Sequence, residues 1–130
     1  MVNIHLIITL FAGLLYYGEA CRCDTGDEIK LFCRAEFAIT AYVNSSQVVN
    51  DERIFTVHAL RDLKGYSLYG VQKVFTPTEG SLCGVSLNTQ TYYLLAGTYT
   101  DDKRLHLGLC NVAREMTILE LVHYRPPDCK

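Results

Sequence analysis

The chain has 130 residues, 12 Lys+Arg against 14 Asp+Glu, and a formal net charge of −2. That length sets one domain. The near-neutral balance, with no basic stripe, argues against nucleic acid as a partner.

Leu6 to Tyr17 is an apolar run too short for a membrane span. Gly18-Glu19-Ala20 follows, with small residues where a signal peptidase reads. Met1 to His5 carries no Lys or Arg, which is atypical of a leader and leaves an uncleaved anchor or a buried strand as alternatives. Residues 1–20 are read as a signal peptide and 21–130 as one secreted domain. Cys21 is then the first mature residue. Cleavage removes one charged residue, Glu19, leaving 12 basic against 13 acidic and a net charge of −1. No second apolar segment is long enough to span a membrane.

Cys21, Cys23, Cys33, Cys83, Cys110 and Cys129 all follow the leader. An even number in an oxidising compartment reads as a disulfide framework, with fifteen possible pairings for six cysteines. Cys-x-Cys alone is a weak metal signal, and the other spacings match no common zinc pattern.

Thr25-Gly26-Asp27-Glu28 fits a capping box opening a short helix toward Cys33. Phe37 to Val43 alternates as a strand with one face more apolar than the other. Asn44-Ser45-Ser46 reads as a turn and as a glycosylation sequon at Asn44. Arg53 to Leu60 predicts a second strand. Lys64-Gly65-Tyr66 marks a turn, and Val71 to Thr76 is a third strand stopped by Pro77. Tyr92–Tyr99 and Leu105–Leu109 flank Thr100-Asp101-Asp102-Lys103, a hairpin. Val112, Met116 and Leu119 recur at helical spacing, predicting a helix over Ala113 to His123 that ends at Arg125-Pro126-Pro127. The fold class expected is mainly β: a five-stranded OB-like closed barrel with one or two flanking helices and three disulfides.

Catalytic chemistry is missing from the pattern. His58, His106 and His123 belong to no recognisable motif, the cysteines are expected to be paired, and there is no phosphate loop or His-Glu-x-x-His. The protein is read as a binder and not an enzyme. The mature terminus Cys21-Arg22-Cys23 carries a chemistry of its own. Disulfides at Cys21 and Cys23 would stop the terminus fraying. An α-amino group has an unperturbed pKa of about 7.7–8.0, so its neutral form is accessible near neutral pH. The amine and carbonyl of one residue can close a five-membered chelate on a metal. A catalytic zinc keeps one open position, which such a chelate could take from water.

Cys21-x-Cys23-x9-Cys33 at the mature terminus resembles the inhibitory amino-terminal, netrin-like domain of the tissue inhibitors of metalloproteinases. Phe75-Thr76-Pro77 leading to Ser81-Leu82-Cys83-Gly84, Tyr93-Leu94-Leu95-Ala96-Gly97, Leu105-His106-Leu107 before Cys110, and the closing Cys129 extend the resemblance over Cys21 to Cys129. It implies the pairings Cys21–Cys83, Cys23–Cys110 and Cys33–Cys129. It implies that Cys21 chelates the zinc of a target protease, that Arg22 enters the S1′ pocket, and that Cys23, Asp24 and Thr25 fill the next subsites. Thr78, Glu79, Gly80, Ser81, Leu82 and Cys83 would form the rest of a wedge, with the loop from Asn44 to Asp51 at its rim. The implied partners are zinc metalloendopeptidases of matrix metalloproteinase, ADAM or astacin type, with extracellular matrix as a further partner class. The expected protein is a monomer with no cofactor of its own.

Two departures stand out. The family usually has a small Thr or Ser where this chain has Arg22, and burying an unpaired guanidinium in an apolar pocket is costly. The family's second cysteine-rich domain is absent from these 130 residues, so activities resting on it are not carried over. The alternative reading is a netrin-like extracellular binding module, or a signalling or immune-regulatory ligand, without protease inhibition.

Overall fold

The computed structural model describes Cys23, residues 27–65, residues 68–78 and residues 83–129. The first helix, α1, is Glu28–Arg34. Its N-cap is Asp27, whose Oδ1 accepts a hydrogen bond from the Ile29 N–H at 3.0 Å. The capping box expected from Thr25 begins outside the described residues. Aspartate caps as well as threonine does. The far end is closed by Lys64. Its Nζ donates to the carbonyls of Cys33 and Ala35 at 3.2 and 2.9 Å and lies 5.2 Å from the Phe32 ring centre. A cation over the orphan carbonyls of a helix C-terminus opposes the helix dipole. Desolvation there lowers the Lys64 pKa.

Six strands follow: β1 Phe37–Val49, β2 Glu52–Asp62, β3 Gly70–Pro77, β4 Thr91–Tyr99, β5 Leu105–His106 and β6 Val112–Met116, then α2 Ile118–His123. Antiparallel pairs join β1 to β2, β2 to β3, β4 to β5 and β4 to β1. A parallel pair, Val74 with Leu105 and Phe75 with His106, joins β3 to β5. The circuit β1-β2-β3-β5-β4 therefore closes on β1, the closed five-strand barrel expected of an OB-like fold. β6 pairs with β4 along Tyr92 to Ala96. Those β4 residues also pair with β1, so β6 must lie on the opposite edge of β4, beyond the five-strand circuit.

The barrel interior explains the alternation in β1. Phe37, Ile39, Ala41 and Val43 point inward against Phe55, Val57, Val74, Leu95 and Leu107. The other face is also covered. Ala38 packs with Phe32 of α1 and with Leu94, Ala96, Val112 and Met116. From Phe37 to Ala41, both faces of β1 are buried, so the contrast between its faces is weaker than in a strand with one face in water. Gly97 sits where β4 meets its neighbours. A Cβ there would lie 2.2 Å from the His106 carbonyl oxygen and 3.0 Å from the Phe37 ring.

Two expectations are corrected. Asn44-Ser45-Ser46 is not a turn: β1 runs through it to Val49, and the chain reverses at Asn50-Asp51. Those two residues have φ of 50° and 62°. A two-residue reversal with both φ positive is the hairpin that matches strand twist, and Asn and Asp tolerate it best. Asn44 instead sits at a register shift in β1, between the pairs Val43–Val57 and Ser45–Thr56. The bulge takes up a polar residue that the ladder leaves unpaired.

The helix expected over Ala113 to His123 is also replaced, by a strand, β6, and a shorter helix. A spacing of four, as from Val112 to Met116, satisfies a period of 2 as well as one of 3.6. The open edge of β4 selects the strand. Thr117 then starts α2 with a complete capping box: its side chain accepts from Glu120 N–H, and the Glu120 side chain accepts from Thr117 N–H. The hairpin expected at Thr100–Lys103 forms, although β5 is only Leu105–His106.

Candidate functional site

The candidate site is a line of contacts along one rim of the barrel. It begins at the tip of the β1–β2 arm, where Thr78 N–H donates to the Asp51 carbonyl at 3.1 Å. Thr78 leaves β3 and enters the loop that returns at Cys83. Cys83 holds φ 60°, a left-handed conformation that non-glycine residues adopt at a cost. Its carbonyl accepts from Leu109 N–H at 2.9 Å. Cys110, next in the chain, is bonded to Cys23. Cys23 is thereby fastened to the same rim as Cys83.

The return of that loop is pinned four times. Besides the Cys83–Leu109 bond, Val85 N–H donates to the buried Thr76 Oγ1 at 2.9 Å, Asn88 N–H to the Tyr93 hydroxyl at 2.8 Å, and Gln90 N–H to the Val43 carbonyl at 2.7 Å. Gly84 lets the loop lie against β3. A Cβ on it would meet the Pro77 carbonyl oxygen at 1.8 Å and its carbon at 2.8 Å. Backbone atoms cannot step aside as a flexible side chain can, so Gly84→Ala must lift Cys83 and Gly84 off β3. Overpacking of this kind costs about 1–3 kcal/mol or more. The expected result is a fall in Tm of several degrees, with amide shifts at Thr78, Cys83 and Leu109. An unchanged spectrum there would refute the account.

A second disulfide, Cys33–Cys129, ties the end of α1 to the end of the chain. Arg114 on β6 adds a polar tie between the two helices, at 2.6 Å from Glu28 and 3.2 Å from Glu120. Burial by itself would lower the Arg114 pKa. The bond to Glu28 and the charges of Glu28 and Glu120 outweigh it and raise the pKa. Glu120 is held below the usual carboxylate range, first by its bonds to Thr117 and also by Arg114. These side chains are all about 40–50% exposed, so solvent screens both pairs and each contributes little to stability.

Of the residues named from the sequence, Cys21, Arg22, Asp24, Thr25 and 79–82 lie outside the described residues. The pairing Cys21–Cys83 therefore does too, although Cys83 is disulfide-bonded. Cys23, Thr78 and Cys83 are brought to one rim. Asn44 is exposed at the root of the arm, and its carbonyl accepts from the Gln90 side chain at 3.1 Å. The rim loop expected from Asn44 to Asp51 is a paired arm whose turn alone reaches Thr78. Sequence reasoning missed the parts played by Leu109, Thr76 and Gly84. Gly84 was visible in the Cys83-Gly84 pair, whereas a backbone N–H and a buried hydroxyl carry no sequence signal.

His58 and His123 are exposed and His106 is half-buried, each on a different element. Among the described residues no group of three His, Cys, Asp or Glu could hold a metal ion, and no helix is long and apolar enough to cross a membrane.

A closed five-strand barrel in the order β1-β2-β3-β5-β4, stapled by disulfides, with Cys23 tethered to the rim, defines a disulfide-bonded β-barrel domain of OB-like build. Comparison with known proteins makes this specific. Residues 19–125 match the family model "Tissue inhibitor of metalloproteinase". Metalloproteinase inhibitor 4 of Mus musculus is 31% identical over 117 residues, covering 81% of this chain and 52% of that protein. Metalloproteinase inhibitor 3 of Xenopus laevis is 30% identical over 119 residues, covering 81% and 55%. The chain belongs to the tissue inhibitor of metalloproteinase family. It spans about half the length of the curated relatives it matches.

Proposed function

We propose that this chain is a secreted inhibitor of zinc metalloendopeptidases, of matrix metalloproteinase, ADAM or astacin type. Residues 1–20 are removed, and the amine and carbonyl of Cys21 chelate the zinc of the target protease. Arg22 enters the S1′ pocket, Cys23 to Thr25 lie along the next subsites, and residues 78–83 complete the wedge. The observation that supports this reading best is the rim tether, from Cys23 through Cys110 and Leu109 to Cys83. A terminus held this way loses little ordering entropy on binding.

Arg22 sets the range of targets. In an apolar S1′ pocket its guanidinium lacks a partner, at a cost of several kcal/mol. Proteases with a polar or deep pocket are therefore the preferred targets. Mass spectrometry of the secreted protein tests for Cys21 as its first residue. A mass loss on treatment with an N-glycosidase tests for a glycan on Asn44. Titration against a panel of zinc proteases then tests inhibition. Arg22→Thr is expected to tighten inhibition of enzymes with apolar pockets by about tenfold or more. Silence from both the parent and Arg22→Thr across the panel would sink the inhibitor reading. It would favour a netrin-like binding module, the reading that Arg22 itself favours.

A further inference from the structure

Away from the rim, a cavity of about 480 Å³ lies between β1, β2 and α2, lined by Thr40, Leu60, Arg61 and residues 121–125. That volume suits one small organic ligand. Thr40 pairs with Arg61 on one side and Leu94 on the other. It is fully buried, and its Oγ1 has no hydrogen-bond partner. A buried hydroxyl left unpaired is destabilising.

The charges around it have one sign. Among the described residues, Arg61, His123 and Arg125 line the cavity and no carboxylate does. Arg61 uses one N–H on the Tyr124 carbonyl at 2.8 Å, which fastens the segment after α2 to the barrel and leaves further donors on the same guanidinium. The remaining wall is apolar. Leu60 and Val122 are 38% and 67% exposed, large side chains facing water beside a cationic rim.

We propose that this groove binds a small apolar carboxylic acid, a site separate from the protease-facing rim. The carboxylate sits against Arg61 and Arg125, and the hydrocarbon lies along Leu60, Leu121 and Val122. The cationic lining, with no carboxylate among the described residues, favours an anionic head over a neutral one.

The test uses the ¹⁵N-labelled secreted chain titrated with decanoate, with decanol as the neutral control. Saturable amide shifts confined to Thr40, Leu60, Arg61 and 121–125, with decanol bound at least about tenfold more weakly, are the expected result. Arg125→Gln should weaken decanoate binding by about tenfold with Tm unchanged. Equal binding of decanol, shifts spread over the surface, or no saturation would each overturn the proposal. So would tighter competition by a peptide with a free apolar carboxyl-terminal residue, which would assign the groove to a chain terminus.

Discussion

An alanine placed ahead of Cys21 lowers inhibition of every susceptible zinc protease by more than about a hundredfold. The proposed chelate needs the free amine and the carbonyl of the same residue. An amide in place of the amine is a poor ligand, and the added residue occupies the space where the zinc must stand. An apolar, water-excluding protease cleft leaves the displaced polar groups without compensation. The variant changes nothing in the barrel, so its Tm should equal that of the parent. Undiminished inhibition by the extended protein would remove the chelation mechanism while leaving family membership untouched. The parent protein, acetylated at its amino terminus, supplies the same test without a mutation.

The second large effect concerns the disulfide that carries the tether. Cys23 and Cys110 are 87 residues apart. Closing a loop of that length restricts the unfolded chain by about 4.5 kcal/mol in the chain-entropy model. Small domains have only about 5–15 kcal/mol in hand, so Cys23→Ser with Cys110→Ser should lower Tm by on the order of 20 °C. Cys33 and Cys129 are 96 residues apart, and replacing that pair should cost a similar amount. The two double variants part company in function. Loss of Cys33–Cys129 leaves the rim contacts in place, and inhibition per folded molecule should survive at low temperature. Loss of Cys23–Cys110 removes one of the two ties expected on the amino-terminal segment, and inhibition should fall by at least about tenfold beyond the unfolded fraction. Equal inhibition by the two folded variants would show that the tether does not order the inhibitory terminus.

Much of the barrel is legible in the residue order, and the reasons are local. Arg53 to Leu60 and Tyr92 to Tyr99 are dense in β-branched and aromatic residues, and the observed strands differ from those expected by no more than two residues at each end. The hairpin at Thr100–Lys103 is visible in its polar tip. Expectation and structure diverge where the local signal fits two structures. Four-residue spacing from Val112 to Met116 suits a strand or a helix, and only the unoccupied edge of β4 decides. Asn44-Ser45-Ser46 has turn composition, yet β2 offers it a ladder, and the true reversal at Asn50-Asp51 has no apolar periodicity to announce it.

The class of this protein is written in its residue order. The positions of its cysteines and its strand-forming runs can be read along the chain, and a close enough pattern identifies a family. Which distant atoms meet is a matter of folding. The Asp51 carbonyl against Thr78, the Cys83 carbonyl against Leu109, Gly84 against Pro77, and the unpaired Thr40 hydroxyl beside Arg61 join segments remote in the chain. Backbone groups are the same in every residue, so their pairing leaves no trace in composition. It is settled only when barrel closure brings the strands into register.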